Sequence, residues 1–436
     1  MSKNIIKPSI LPGFMELLPS EQILFNKMLD IIRKNYEKFG FLPIDTPVIE
    51  KAEILLAKGG GETEKQIYQF EKGDTDLALR FDLTVPLARY VAEHFSELNF
   101  PFRRYQIGKV YRGERAQRGR FREFYQCDID IIGNGKLDII NDAEIPSIIY
   151  STFSELGFDS FTIKINNRKL LKGFFESLNI EDSTEVLRTI DKLEKIGLEK
   201  VHEELISQEI GEENVKKILE FIQIAGDNEE KLQELENLNI NNDIFNEGLE
   251  ELKAVNKYVG IFGVPKENYI IDLTIARGLD YYTGTVYETF LNDYPSLGSI
   301  CSGGRYDNLA EYYTKQKLPG VGISIGLTRL FYQLNEAKLI KFEDDVLTKV
   351  LIIPMKGYID QAIQIANNLR EKDINTQIYL EKGKMGKKFG FADKLDIPYT
   401  LIVGEEEVKQ EKYTLRDMET GEQEMLSIEE ILLALN

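Results

Sequence analysis

The feature that most restricts the fold of this 436-residue chain is its hydrophobic period, which alternates between strand and helix values several times. Residues 21–37 set Ile23, Leu24, Met28, Ile31 and Ile32 at helical spacing, and Gly40 follows as a stop signal. Residues 41–49 carry Pro43 and Pro47, which cannot donate to a ladder, so this stretch suits an edge or interface strand. Residues 77–81 read as a strand that turns at Asp82 into a helix, capped by Asp82 or Thr84 with Pro86 in its first turn. Two longer alternating runs, 102–111 and 121–132, flank a loop containing Gly113 and Gly119 and predict an antiparallel pair.

From about residue 167 to 258 the pattern becomes helical and rich in Leu, Ile, Glu, Lys and Asn, which predicts a helical insertion. Strand signals resume at Tyr269, run through 285–291 and 298–302, and end in Gly320-Val321-Gly322-Ile323-Ser324-Ile325-Gly326. In that last run one face is apolar and the other nearly bare, so a flat ligand could lie close against the backbone. Its glycines sit inside a strand and not in the turn after one, which argues against a dinucleotide fingerprint. A helix is expected over 328–337. Beyond a linker at 341–349, strand and helix alternate at 350–353, 362–370, 376–379, 387–394 and 399–403, the signature of a small α/β domain with a largely parallel sheet. At this length more than one domain is expected.

Composition excludes several classes of chemistry. Two cysteines, Cys127 and Cys301, lie too far apart for a metal knuckle and read as small buried apolar residues. His94 and His202 are the only histidines, too few for a zinc site or a Ser/His/Asp triad. No apolar run is long enough to span a bilayer, and the first residues lack the h-region of a secretory signal, so a cytoplasmic protein is expected. The net charge of -19 is unevenly spread. Residues 181–260 hold 9 Lys and Arg against 21 Asp and Glu, whereas residues 103–122 hold eight basic residues and Glu114 alone. A basic patch inside an acidic protein is compatible with a nucleic-acid partner.

Residues 277–284, Arg-Gly-Leu-Asp-Tyr-Tyr-Thr-Gly, put a permanent cation, a carboxylate and two phenols at a strand end, which could grip a phosphate and a small polar ring together. Taken with Arg80-Phe81-Asp82-Leu83-Thr84, the run from Arg112 to Asp130, Gly303-Gly304-Arg305-Tyr306-Asp307 and Gly326-Leu327-Thr328-Arg329, the chain resembles the histidyl-tRNA synthetases, a class II aminoacyl-tRNA synthetase family. The resemblance spans nearly the whole chain. It implies an α+β catalytic domain with an antiparallel sheet flanked by helices, interrupted by a helical insertion and followed by an α/β anticodon-binding-type domain with a mixed sheet. The implied boundaries are 1–166 and 259–340 for the catalytic domain, 167–258 for the acidic insertion and 346–436 for the C-terminal domain.

The resemblance also implies a ligase that joins L-histidine to the α-phosphate of ATP, expels pyrophosphate and transfers histidine to tRNA(His). Arg112 and Arg277 would be catalytic at the α-phosphate and substrate carboxylate, and Arg329 would hold the γ-phosphate. Glu114, Arg120 and Phe124 would bind ATP, with Phe124 on adenine, and Mg2+ would accompany the ATP and need no cysteine or histidine ligand. Asp82, Thr84 and Gln126 would take the α-ammonium, with Tyr281 nearby, and Leu83 would belong to the same histidine-binding stretch. Asp130 and Tyr282 would take the two imidazole nitrogens, an acceptor and a donor. Gln117 and Arg118 would meet the tRNA acceptor end, and Lys382, Lys384, Lys387 and Lys388 the anticodon. At positions 82 and 130 this chain has Asp where many bacterial relatives carry Glu, and its RFDLT and QCDIDIIG runs look like the eukaryotic-type branch. A homodimer is the family expectation. The competing reading is a non-catalytic, histidine-sensing regulatory subunit of an ATP phosphoribosyltransferase, which would be expected to lose the phosphate-handling arginines and the C-terminal domain.

Overall fold

The computed structural model describes residues 6–57, 64–115, 119–180, 183–190, 192–275, 282–340 and 346–435. It divides into two compact units, one of residues 1–16 and 28–340, the other of residues 17–27 and 341–436. In chain order the first unit carries strands β1 (Leu42–Pro43), β2 (Ile49–Lys51), β3 (Gln69–Lys72), β4 (Thr75–Leu79), β5 (Phe102–Tyr111) and β6 (Glu123–Ile132). These are followed by β7 (Phe161–Asn167), β8 (Tyr269–Ile271), β9 (Thr285–Leu291), β10 (Cys301–Tyr306) and β11 (Gly320–Gly326).

Eight of these strands form one sheet in the order β1-β5-β6-β11-β10-β9-β7-β8, antiparallel except for the edge pairs β1–β5 and β7–β8. The expected edge strand at 41–49 is split by its prolines: β1 closes the large sheet, while β2 joins a separate antiparallel sheet of order β2-β4-β3. The long pair is present as expected, with β5 and β6 in register from Phe102 opposite Ile132 to Tyr111 opposite Glu123. On the far side of β6 lies β11, with Gln126 opposite Gly326 and Asp130 opposite Gly322.

Strand β6 is central, and its two faces differ. Cys127, Ile129 and Ile131 are fully buried on one face, where the Tyr36 hydroxyl donates to the Cys127 carbonyl (2.9 Å). Gln126, Asp128 and Asp130 occupy the other face and are also buried. Acids are seldom buried without a partner or a purpose, so this face locates the site before any cavity is considered. The helix Thr84–Glu93 begins beside it, its first turn held by the Val85 N–H donating to Asp82 Oδ1 (3.0 Å). Helices from Arg168–Ser177 to Asp243–Ile261 fill the insertion, with the sheet resuming at β8.

The second unit contains β12 (Val350–Pro354), β13 (Thr376–Ile378), β14 (Tyr399–Val403), β15 (Tyr413–Asp417) and β16 (Gln423–Leu426) in the order β13-β12-β14-β15-β16. The first three are parallel and the last two antiparallel, so the sheet is mixed, not largely parallel. Val350 and Ile352 pack into one apolar cluster and Leu351 and Ile353 into another, so helices cover both faces.

Candidate active site

A cavity of about 460 Å³ in the first unit is lined by the polar face of β6 and by residues of β10, β11 and the loop after β5. Side chains two apart along a strand share a face, so Phe124, Gln126, Asp128 and Asp130 form a row roughly 20 Å long. All four line the cavity.

The Phe124 end is cationic. The Arg112 guanidinium lies 5.1 Å from the Phe124 ring centre and is aimed by its Nε donating to the Phe81 carbonyl (3.0 Å). Glu114 pairs with Arg120 (Oε2 to Nε, 2.5 Å). Arg329, at the start of the helix Leu327–Glu336, donates from Nη2 to the Leu297 carbonyl (2.9 Å). Burial, with Arg120 nearby, depresses the basicity of Arg329. Two guanidiniums that repel across an aromatic-floored cavity make an anion site, and Arg112 extends it.

The Asp130 end is acidic. Asp130 Oδ2 meets Arg104 Nη2 at 2.5 Å, and the Tyr306 hydroxyl donates to Oδ1 (2.7 Å). Burial still holds this carboxyl above the usual range, against the opposing pull of Arg104 and Tyr306. Burial likewise pushes Asp82 up to about 6 and Asp128 up to about 7. Asp82 Oδ2, Gln126 Oε1 and Asp128 Oδ1 have no hydrogen-bond partner among the described residues.

The structure therefore brings Asp82, Thr84, Arg112, Glu114, Arg120, Phe124, Gln126, Asp130, Tyr282 and Arg329 around one cavity. Leu83 departs from expectation: its side chain is fully buried in the core, and its carbonyl accepts from Arg104 Nη2 (3.2 Å). The bare face of β11 also differs, because a Cβ at Gly322 would collide with the Asp130 carboxylate and one at Gly320 with the Tyr306 ring, 2.5 Å away. That room is used by side chains of the site itself. Within the 303–307 run only Tyr306 reaches Asp130; Arg305 turns away and pairs with Asp142 (Nη2 to Oδ2, 2.6 Å). Arg277, Tyr281, Gln117 and Arg118 lie outside the described residues.

The basic patch at 103–122 is largely consumed internally. Arg103 pairs with Glu144 (2.8 Å), Lys109 with Glu123 (2.8 Å), and Arg122 Nε donates to the Glu114 carbonyl (3.0 Å). In the second unit Lys382, Lys384 and Lys387 are exposed. Lys388 is not: its ammonium is buried and donates to the Pro354 carbonyl (2.9 Å), which does not suit a surface contact with RNA.

Residues to which sequence reasoning gave no role of their own are Arg104, Asp128, Tyr306 and Ser324, although the last three lie in runs it singled out. For Arg104 and Asp128 the signal was strand phase, since Arg104, Gln106 and Gly108 share a face opposite Asp130, Asp128 and Gln126.

The histidyl-tRNA synthetase family model matches residues 13–330, and an anticodon binding domain model matches residues 349–436. The chain is 66% identical over 435 residues to a protein named histidine–tRNA ligase from Clostridium tetani, covering 99% of each. It is 52% identical over 428 residues to another of that name from Finegoldia magna, covering 98% of this chain and 99% of that one. A crystal structure of histidyl-tRNA synthetase from Nostoc sp. PCC 7120 matches with a TM-score of 0.91 at 42% identity and 99% coverage of both chains. A Bacillus halodurans structure, described as an ATP phosphoribosyltransferase regulatory subunit/histidyl-tRNA synthetase, matches at 20% identity and a TM-score of 0.75, covering 92% of this chain and 100% of that one, a likeness of fold alone. With both family models matched and full-length relatives at such identity, this chain belongs to the histidyl-tRNA synthetase family.

Proposed function

We infer that the cavity binds ATP at its Phe124 end and histidine at its Asp130 end, and that the chain acts there as a histidine–tRNA ligase. The observation that carries this reading is the polarity of the row along β6, cationic and aromatic at one end and acidic at the other. Histidine's carboxylate oxygen attacks the α-phosphorus of ATP, the bond to the β-phosphate breaks, and pyrophosphate leaves with its electrons. The terminal ribose hydroxyl of tRNA(His) then attacks the activated carbonyl and AMP departs. Negative charge builds on phosphoryl oxygens in the first step, so fixed cations supply the stabilisation.

In this assignment Arg112 meets the α-phosphate and substrate carboxylate, Phe124 stacks on adenine, and Glu114 and Arg120 frame the nucleotide. Arg329 takes the γ-phosphate, with Mg2+ entering as part of the nucleotide substrate. Arg277 is proposed at the same phosphate and Tyr281 near the ammonium, on the strength of the family pattern. Asp82, Thr84 and Gln126 take the α-ammonium, and Asp130 and Tyr282 the imidazole. Both Asp130 oxygens already accept a hydrogen bond, but each keeps a second lone pair. Arg104 and Tyr306 thus fix the acceptor rather than fill it.

The anticodon binding domain match supports tRNA contact through residues 346–436, where Lys382, Lys384 and Lys387 are exposed; Gln117 and Arg118 are proposed at the acceptor end. The proposed domain division follows the same pattern, with the insertion at 167–258. A homodimer is proposed through the segment 42–49, whose Leu42, Val48 and Ile49 are exposed. No helix among the described residues is long and apolar enough to cross a membrane, and a cytoplasmic location is proposed.

Histidine-dependent exchange of labelled pyrophosphate into ATP tests the reading. Exchange is expected; histidine binding without exchange would overturn it in favour of the regulatory alternative. Against that alternative stand Arg112 and Arg329 in the cavity and the matched C-terminal domain.

A further inference from the structure

Asp128 has no role in the assignment above, yet it lies midway along the row. It is 2% exposed, lines the cavity and leaves Oδ1 unpartnered among the described residues. Its neighbours explain how it is held. The Ser324 hydroxyl hydrogen-bonds the Asp128 side chain, and Gln126 Nε2 donates to Ser324 Oγ (2.7 Å). This relay spends the donors of Gln126 and Ser324 on each other and on Asp128. Three buried acceptors on residues that line the cavity are left without a donor among the described residues, namely Gln126 Oε1, Asp128 Oδ1 and, from the start of the helix at Thr84, Asp82 Oδ2.

Three orphaned acceptors around one space call for a group with several N–H donors, because a buried acceptor without one costs free energy. The charge balance points the same way. Asp82, Asp128 and Asp130 sense one another electrostatically; Arg104 bears on all three, and Arg112 bears on Asp82 ahead of it, so three buried carboxyls face two cations. Burial drives the carboxyls of Asp82 and Asp128 towards the neutral form, as expected where a cation belongs. Among the described residues no three His, Cys, Asp or Glu side chains are grouped to hold a metal ion. An ammonium, with three N–H donors and one charge, matches three acceptors.

We propose that Asp128 is a specificity-determining residue that binds the α-ammonium of the substrate amino acid together with Asp82 and Gln126, held for that task by Ser324. This rests on the reading of the cavity as a histidine site. It makes the ammonium subsite doubly acidic, so the protein selects for a free α-amino group more strongly than a single carboxylate would.

The test compares wild type with Asp128→Asn in histidine-dependent pyrophosphate exchange, inhibited competitively by L-histidinol, which keeps the ammonium, and by imidazolepropionate, which lacks it. The proposal expects the histidine KM and the histidinol inhibition constant to rise on the order of ten-fold or more in the variant, as for loss of a charged hydrogen bond. Inhibition by imidazolepropionate should stay within about two-fold of wild type, because neither form of residue 128 meets an ammonium there. Equal losses for both inhibitors would mark Asp128 as merely structural, and no loss for histidinol would remove it from the subsite; either result overturns the proposal. Ser324→Ala should show a weaker version of the same split, and a Ser324→Ala variant that weakens both inhibitors alike would also contradict it. If wild type shows no histidine-dependent exchange, the histidine reading itself fails, an outcome distinct from these.

Discussion

Strands β6 and β12 each run through the interior of a sheet and are buried on both faces, but they meet burial in opposite ways. In β12 every side chain from Val350 to Ile353 is apolar, and each face closes on its own hydrophobic cluster. In β6 only Cys127, Ile129 and Ile131 do this, while Gln126, Asp128 and Asp130 remain as poorly hydrated polar groups on the other face. Burying apolar area stabilises β12 with nothing left over. Burying the acids of β6 costs free energy that a direct ion pair with Arg104 and a hydrogen bond from Tyr306 offset at Asp130, whereas Asp128 has only the more distant charge of Arg104 and the Ser324 hydroxyl. The difference teaches where a ligand completes the structure and where the chain completes itself.

Breaking the one satisfied member of the acidic row should have the largest effect. Asp130→Asn would leave the Arg104 guanidinium, which is fully buried, without its counter-charge, and a loss of about 3–5 kcal/mol is expected in urea unfolding of the first unit. A loss below about 1 kcal/mol would show that Asp130 is not the partner Arg104 depends on. Next comes the apolar strand: Ile352→Ala should cost about 2–5 kcal/mol through the cavity it opens, with the second unit unfolding earlier while pyrophosphate exchange persists. Unchanged unfolding would contradict the packing of β12.

Asp128→Asn should move stability the other way. A carboxyl raised to about 7 binds its proton more tightly folded than unfolded, so its contribution falls as pH rises from the unfolded value near 4 and levels off above 7. The ligand-free variant should therefore melt a few degrees above wild type at pH 8, with the gap narrowing towards pH 4. A gap that widened on acidification would contradict the burial of an unpartnered acid. The smallest effect is expected on the surface of the second unit. Replacing Lys382, Lys384 or Lys387 by Ala should each lower the salt dependence of tRNA binding by up to about one unit without changing stability. Lys388→Ala should instead lower stability, since its ammonium is engaged with the Pro354 carbonyl.

Local pattern made much of this legible in the sequence. The run Gly320–Gly326 and the strand Tyr399–Val403 coincide with their expected bounds, and β5 does so as well. The C-terminal hairpin of β15 and β16 was not expected, because its strands are short and β16 is exposed along most of its length, so alternation carries little signal there. Arg104 was read as part of a charge patch because composition cannot distinguish a solvated arginine from one paired across a ladder. Its partner follows from the register that sets it opposite Asp130, and register is a property of the folded sheet. The partners of Tyr306 and Ser324 were hidden for the same reason, each lying more than a hundred positions away.

The division of labour along β6 is tested most directly by steady-state pyrophosphate exchange with Asp82→Asn and Phe124→Ala, titrating histidine and ATP in turn. Asp82→Asn should raise the histidine KM on the order of ten-fold or more while leaving the ATP KM within about two-fold, because only the acidic end loses a charged contact. Phe124→Ala should do the reverse. Variants that each raised both KM values alike would contradict the account that one polar strand face sorts the two substrates to opposite ends of the cavity.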